Sequence, residues 1–193
     1  TNFYWWLSGP SGQLVSGQWY SSTNTYNYGN FSGFARMLLA AGDYKLTIDT
    51  NGITTLGSIP FRLLTADSAE TISLGTETNA VLDAANGSHI YKVSLSAGDK
   101  ISFDAKSISG GAANWRLIDP FGVSVAGSDF MAWQGAVSVK STGDYWLMID
   151  GNDSNAAGAT VAYRFSLNSV PDVTVPLTLG EVVSGSIDLR GQS

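Results

Sequence analysis

The 193-residue sequence predicts an all-β fold built as tandem jelly-roll-like sandwiches, one complete and one or two partial. Three observations carry this prediction. Short runs such as "IYKVSL" and "GDYWLMID" alternate apolar with more polar residues, the period of a strand with one buried face. Between the runs fall 22 glycines and many Ser, Thr and Asn, the residues of tight turns, while long stretches with apolar residues three and four apart are few, so helix should be scarce. Finally, the chain repeats itself: "AAGDYKLTIDTNG" (40–52) returns as "STGDYWLMIDGND" (141–153).

The repeat extends over the chain and keeps the order of its parts. "WWLSGPSGQLV" (5–15) matches "WRLIDPFGVSV" (115–125), and "FRLLTADSAETISLG" (61–75) matches "FSLNSVPDVTVPLTLG" (165–180). A period of about 104 residues exceeds the ~20 to 50 of solenoids, so each unit is expected to be a whole domain. The phase makes 64–170 one complete unit, 1–63 the later part of a preceding one, and 171–193 the opening strands of a next one. Nothing in the partial units corresponds to "IYKVSLSAGDKISFDAKSISGGA" (90–112), so two strands are missing from them. The chain begins without Met and is expected to be a processed or excised piece of something longer.

Within the complete unit, "IYKVSL" carries Tyr91, Val93 and Leu95 on one face, and "DKISFDA" carries Ile101 and Phe103. The "SAGD" between them predicts a hairpin. "NWRLIDPFG" reads as a strand stopped at Pro120, which has no amide hydrogen to pair, with Gly122 free to take positive φ. "GDYWLMID" places Tyr145, Leu147 and Ile149 on one face and Trp146 and Met148 on the other, and "VAYRFSL" aligns Tyr163, Phe165 and Leu167. Some eight strands at this spacing point to a two-layer sandwich.

Composition excludes several functions. A net charge of −6 and a pI near 4.5 leave no basic stripe for a phosphate backbone, so nucleic acid is not an expected partner. With no Cys and a single His, His89, neither a disulfide framework nor a thiolate or histidine-rich metal site can form. No apolar run approaches the ~20 residues of a membrane-spanning helix.

The ordered series "LGTETNAVLDAANGSHIYKVSLSAGDKISFDA", "WRLIDPFG", "STGDYWLMIDG" and "YRFSL" resembles the bacterial pre-peptidase C-terminal (PPC) domain, in the form repeated in very large secreted bacterial proteins. The resemblance covers 64–170 and, in pieces, most of the rest. It implies a secreted or cell-surface β-sandwich that accompanies other modules and has no catalytic residues of its own. Some relatives bind calcium, collagen or carbohydrate, but no strict motif carries a binding residue over to this chain. Where relatives commonly have a small polar or acidic residue, this chain has His89, which the resemblance puts at a strand start rather than in a site.

Three places hold candidate chemistry. His89 is the one available base for a serine nucleophile, but Ser88 and its neighbours lie in turn-like sequence without a nucleophile elbow, so no enzyme is expected. In "DGNDSN", Asp150, Asn152 and Asp153 offer hard oxygen ligands suited to calcium, whereas the earlier copy keeps only Asp49 and Asn51. An Asx-rich hairpin turn accounts for the same residues. In "GQWYSSTNTYNYGNF", the rings of Trp19, Tyr20, Tyr26 and Tyr28 stand among amides and hydroxyls, as in a subunit contact or a saccharide-stacking surface. A sandwich lacking two strands exposes an apolar face and open sheet edges. The expectation is therefore a structural, self-associating module of a large extracellular protein, a fibre, adhesin or surface-layer spacer, joined to copies of itself or to neighbouring repeats by strand complementation. The alternative is a carbohydrate- or collagen-binding accessory module of a secreted hydrolase.

Overall fold

Alternation in the sequence becomes strand in the structure, a computed structural model that describes residues 2–21, 37–49, 64–83, 87–152, 154–156 and 158–192. The strands are β1 (Asn2–Gly9), β2 (Gly12–Ser21), β3 (Lys45–Asp49), β4 (Glu70–Thr71), β5 (Glu77–Leu82), β6 (Ser88–Leu95), β7 (Lys100–Ser109), β8 (Ala113–Ile118), β9 (Ser124–Asp129), β10 (Val137–Ser138), β11 (Gly143–Gly151) and β12 (Val161–Ser169). Among the described residues there is no α-helix, and one 3₁₀ turn covers Ala66–Ser68. The fold is all-β.

Strands β4 to β12 form a two-layer sandwich, with one sheet in the order β10-β7-β12-β5 and the other β4-β6-β11-β8-β9. Their inward residues make one core. Tyr91, Val93 and Leu95 of β6, Leu117 of β8, and Tyr145, Leu147 and Ile149 of β11 meet Ile101 and Phe103 of β7 and Tyr163, Phe165 and Leu167 of β12. The faces follow the period of two read from the sequence. Trp146 and Met148, on the other side of β11, are covered by Ala66, Ala69 and Ile90, so the segment before β4 closes the outer face of that sheet.

One expectation fails. β6 and β7 do not form a hairpin: β6 pairs with β4 and β11, and β7 with β10 and β12, in opposite layers. The "SAGD" turn is tight, with the Ser96 amide donating to Asp99 Oδ2 at 2.8 Å, but it arches across the core. Both strands are apolar on a single face, and facing each other across the interior buries both faces; side-by-side pairing would leave them on one surface.

The three-stranded sheet β2-β1-β3 repeats the arrangement β9-β8-β11. Trp5 stands opposite Ile48 and Leu7 opposite Leu46, just as Trp115 stands opposite Ile149 and Leu117 opposite Leu147. The "GDY" motif recurs for a physical reason in both copies. Tyr44 Oη donates to the Ala40 carbonyl at 2.7 Å and Tyr145 Oη to the Ser141 carbonyl at 2.9 Å, which closes the bend that leads into β3 and β11. The glycine two residues earlier has φ of 148° in Gly42 and 150° in Gly143, and a Cβ there would lie 2.3 Å from Pro10 Cγ or 2.8 Å from Pro120 Cγ. The proline that follows one strand therefore needs the glycine that leads into or begins another.

The copies differ in burial. Leu147 and Ile149 are fully buried, while Leu46 and Ile48 are half-buried. Residues 171–192, which resemble the opening of the complete unit, form no strand. Phe165→Ala, at a fully buried position touching rings of both layers, is expected to cost about 3–5 kcal/mol in urea-unfolding free energy.

Candidate functional site

The start of β6 separates two polar systems, because Ser88 and His89 are consecutive and face opposite ways. On the outer side, Ser88 Oγ donates to Asp150 Oδ1 at 2.6 Å, and Arg116 Nη2 donates to Asp150 Oδ2 at 2.7 Å. Asp150 is 6% exposed, so this is a buried, charge-assisted pair. The register explains it: Asp150 of β11 sits opposite Asn114, and Arg116 lies two residues along β8 on the same face.

On the inner side, His89 Nδ1 is hydrogen-bonded to Tyr163 Oη at 2.7 Å, and Tyr163 Oη to Tyr91 Oη at 2.6 Å. The two phenols are deep in the core, and desolvation pushes both of them above the ordinary tyrosine value, Tyr163 strongly. Within the Tyr91–Tyr163 pair, the hydrogen bond that supports a phenolate on Tyr91 raises Tyr163 further. Outside this row lies an open cleft of about 280 Å³ lined by Leu64, Ser68, Glu70, Ala80, His89 and Ile90.

These placements answer the candidates singly. Ser88 and His89 are drawn to different partners, so the structure does not bring them together as nucleophile and base. Of the proposed calcium ligands, Asp150 is engaged by Ser88 and Arg116 on the outer face of its sheet, and Asn152 Oδ1 accepts the Ser154 amide at 2.9 Å as in an Asx turn. Asp153 lies outside the described residues, among which no group of three His, Cys, Asp or Glu is placed to hold a metal. Trp19 and Tyr20 fall in β2 opposite Tyr4 and Phe3, with their side chains outside the description, and Tyr26 and Tyr28 lie outside it altogether. No helix of the described residues is long and apolar enough to cross a membrane.

Sequence reading missed the Arg116–Asp150 pair and the clamp of Asn155 on Ala112. There the Ala112 amide donates to Asn155 Oδ1 at 2.7 Å and Asn155 Nδ2 donates to the Ala112 carbonyl at 2.8 Å. Both join residues from different strands or loops, and only the β8–β11 register brings them near.

No protein-family model matches the chain, and no curated protein matches it in sequence. Solved structures with a similar course are known. PliG from Aeromonas hydrophila, a periplasmic inhibitor of g-type lysozyme, has 11% identity and a TM-score of 0.44, covering 52% of this chain and 94% of that one. The pre-peptidase C-terminal domain of a Bacillus anthracis collagenase has 16% identity and a TM-score of 0.39, covering 58% of this chain and 100% of that one.

Removing the cation beside Asp150 leaves a buried carboxylate without compensation. Arg116→Met is therefore expected to lose about 3–5 kcal/mol of stability, and the double variant Arg116→Met/Asp150→Leu to recover most of it, as measured by denaturant unfolding. The tyrosine row sets an alkaline limit. Tyr91 and Tyr163 keep their protons in the folded state after the unfolded chain has lost them, so stability is fully present below about pH 10 and falls as pH rises beyond it. Unfolding titrations between pH 8 and pH 12 should show that decline, shallower in Tyr163→Phe.

Proposed function

We propose that the chain is a non-catalytic, self-associating structural module of a repetitive extracellular bacterial protein, composed of PPC-like repeats over 1–63, 64–170 and 171–193. One observation carries this reading. The sheet β2-β1-β3 reproduces the register of β9-β8-β11, yet Leu7, Leu46 and Ile48 are only half-buried where Leu117, Leu147 and Ile149 are at most 1% exposed. A half-covered apolar sheet face gains stability, roughly 25 cal/mol for each Å² buried, when a neighbour covers it. A contact between unlike surfaces of successive units propagates instead of closing, so the product is a rod or fibre. The low charge and the absence of cysteine suit such an assembly.

A second reading is favoured by another feature. Tyr4 and Trp6 occupy the β1 positions that Asn114 and Arg116 occupy in β8, on the face away from Trp5 and Leu7. Their ring centroids are 6.3 Å apart, and β2 places Trp19 opposite Tyr4. A strip of rings in place of an amide and a guanidinium suits stacking on a carbohydrate or collagen, as in an accessory binding module.

Electron micrographs of the 193-residue chain at high micromolar concentration are expected to show rods or filaments; dispersed particles throughout would overturn the assembly reading. A glycan and collagen array decides the second, which requires binding by the native chain and at least tenfold weaker binding by Trp6→Ala.

A further inference from the structure

The cleft beside the start of β6 has a structural cause. β4 is two residues long and pairs with Tyr91 and Lys92 alone, so among the described residues no strand flanks 88–90 on that side. The segment before β4 turns away over the outer face, where Ala66 and Ala69 pack with Trp146 and Met148. Between that segment and Ala80 of the opposite sheet remains the opening of about 280 Å³.

Glu70 gives the cleft its charge. It stands opposite Tyr91 in the parallel β4–β6 pair, so it falls on the inward row that continues in Ile72 and Leu74, both packed against the core. A carboxylate is out of keeping with that row, and the similar stretch 175–180 has Val175 at this place, followed by Leu177 and Leu179. Among the described residues no cation is paired with Glu70. Lys92, next to Tyr91 in β6, is turned the other way, to Asp144 at 3.8 Å.

The rest of the lining discriminates between ligands. Leu64, Ala80 and Ile90 supply aliphatic wall, and the phenols behind His89 keep their protons because burial pushes both of them up, so they add no charge. A calcium ion needs about 6 to 8 oxygens, whereas the cleft offers one carboxylate, and no group of three His, Cys, Asp or Glu among the described residues is placed to hold a metal. A saccharide stacks on flat rings, and these walls are aliphatic. An anion meets the Glu70 carboxylate and a net charge of −6. An alkyl chain that ends in an ammonium satisfies both parts of the cleft, its stem on the apolar wall and its charge on the carboxylate.

We propose that this cleft receives a lysine side chain of a partner protein, with its methylenes along Leu64, Ala80 and Ile90 and its ammonium on the Glu70 carboxylate. The net charge of −6 draws a basic partner surface toward the site. The site lies within the complete unit and needs no second copy, so it stands apart from the self-association reading above.

Saturation-transfer NMR tests it, because the method reads the signals of the ligand and serves dispersed or assembled protein alike. The probe is Nα-acetyl-lysine amide with the 193-residue chain, and Nα-acetyl-norleucine amide, an alkyl stem without the ammonium, is the comparison. The lysine methylenes are expected to be saturated, and those of norleucine several-fold less. Glu70→Gln should weaken lysine binding by roughly threefold or more. Glu181→Gln, which removes the same charge from a residue outside the cleft, should leave binding unchanged, with circular dichroism confirming that both variants fold as the native chain does. Absent saturation, equal saturation of the two amides, or lysine binding indifferent to Glu70→Gln would each overturn the site.

Discussion

The Phe103 ring is the contact on which the sandwich depends. It stacks on Trp115 of the opposite layer at 4.4 Å and on Phe165 of the neighbouring strand at 5.2 Å, with Phe130 edge-on at 5.4 Å. A stacked ring between two sheets fixes both their spacing and their register, because sliding either layer by one residue would turn its apolar row to solvent. The polar features are arranged around this constraint. His89, Tyr163 and Tyr91 satisfy one another on the inner side of β6, and Asp150, Arg116 and Ser88 do so on the outer side. Each set contains a group that would be costly to bury alone.

Much of this was legible in the sequence, for reasons of periodicity. The faces of β6, β11 and β12 could be read because alternation records which side of a strand is buried, and the stop at Pro120 could be read because proline cannot donate. The layer to which a strand belongs was not legible. "SAGD" joins β6 to β7 with the chemistry of a hairpin turn, and the same chemistry serves an arch. Local sequence sets the turn; the choice between side-by-side and face-to-face pairing is made by the core. The Arg116–Asp150 pair was hidden for a related reason, since it depends on a register between strands separated by the whole of β9 and β10. Asp150 and Asn152 were singled out as oxygen donors, and their oxygens are engaged by protein hydrogens.

The repeat was visible as words before it was visible as geometry, and the geometry explains the words. "P-x-G" and "GDY" recur together because Pro10 packs where only Gly42 fits, and Pro120 where only Gly143 fits. The tyrosine then ties its own strand to the chain four residues earlier. These are constraints of a β-sandwich corner and say nothing of catalysis or ligand. They allow the neighbouring faces to diverge, and β1 uses that freedom to replace Asn114 and Arg116 with Tyr4 and Trp6.

Edge strands decide how such units behave together. A sheet edge with free amides and carbonyls recruits any strand of suitable pattern, so a repetitive chain full of alternating segments risks indiscriminate pairing. The strand β4, only two residues long, limits the risk at one edge of the complete unit by offering little to pair with. In the sequence 173–179, which resembles the stretch that contains β4, the limit is chemical: Pro176 removes an amide from one row and leaves the other row intact. A segment with one competent edge can add to a sheet once and then terminate it. Such an asymmetry disfavours lateral accretion, because a further strand would meet the row that lacks an amide.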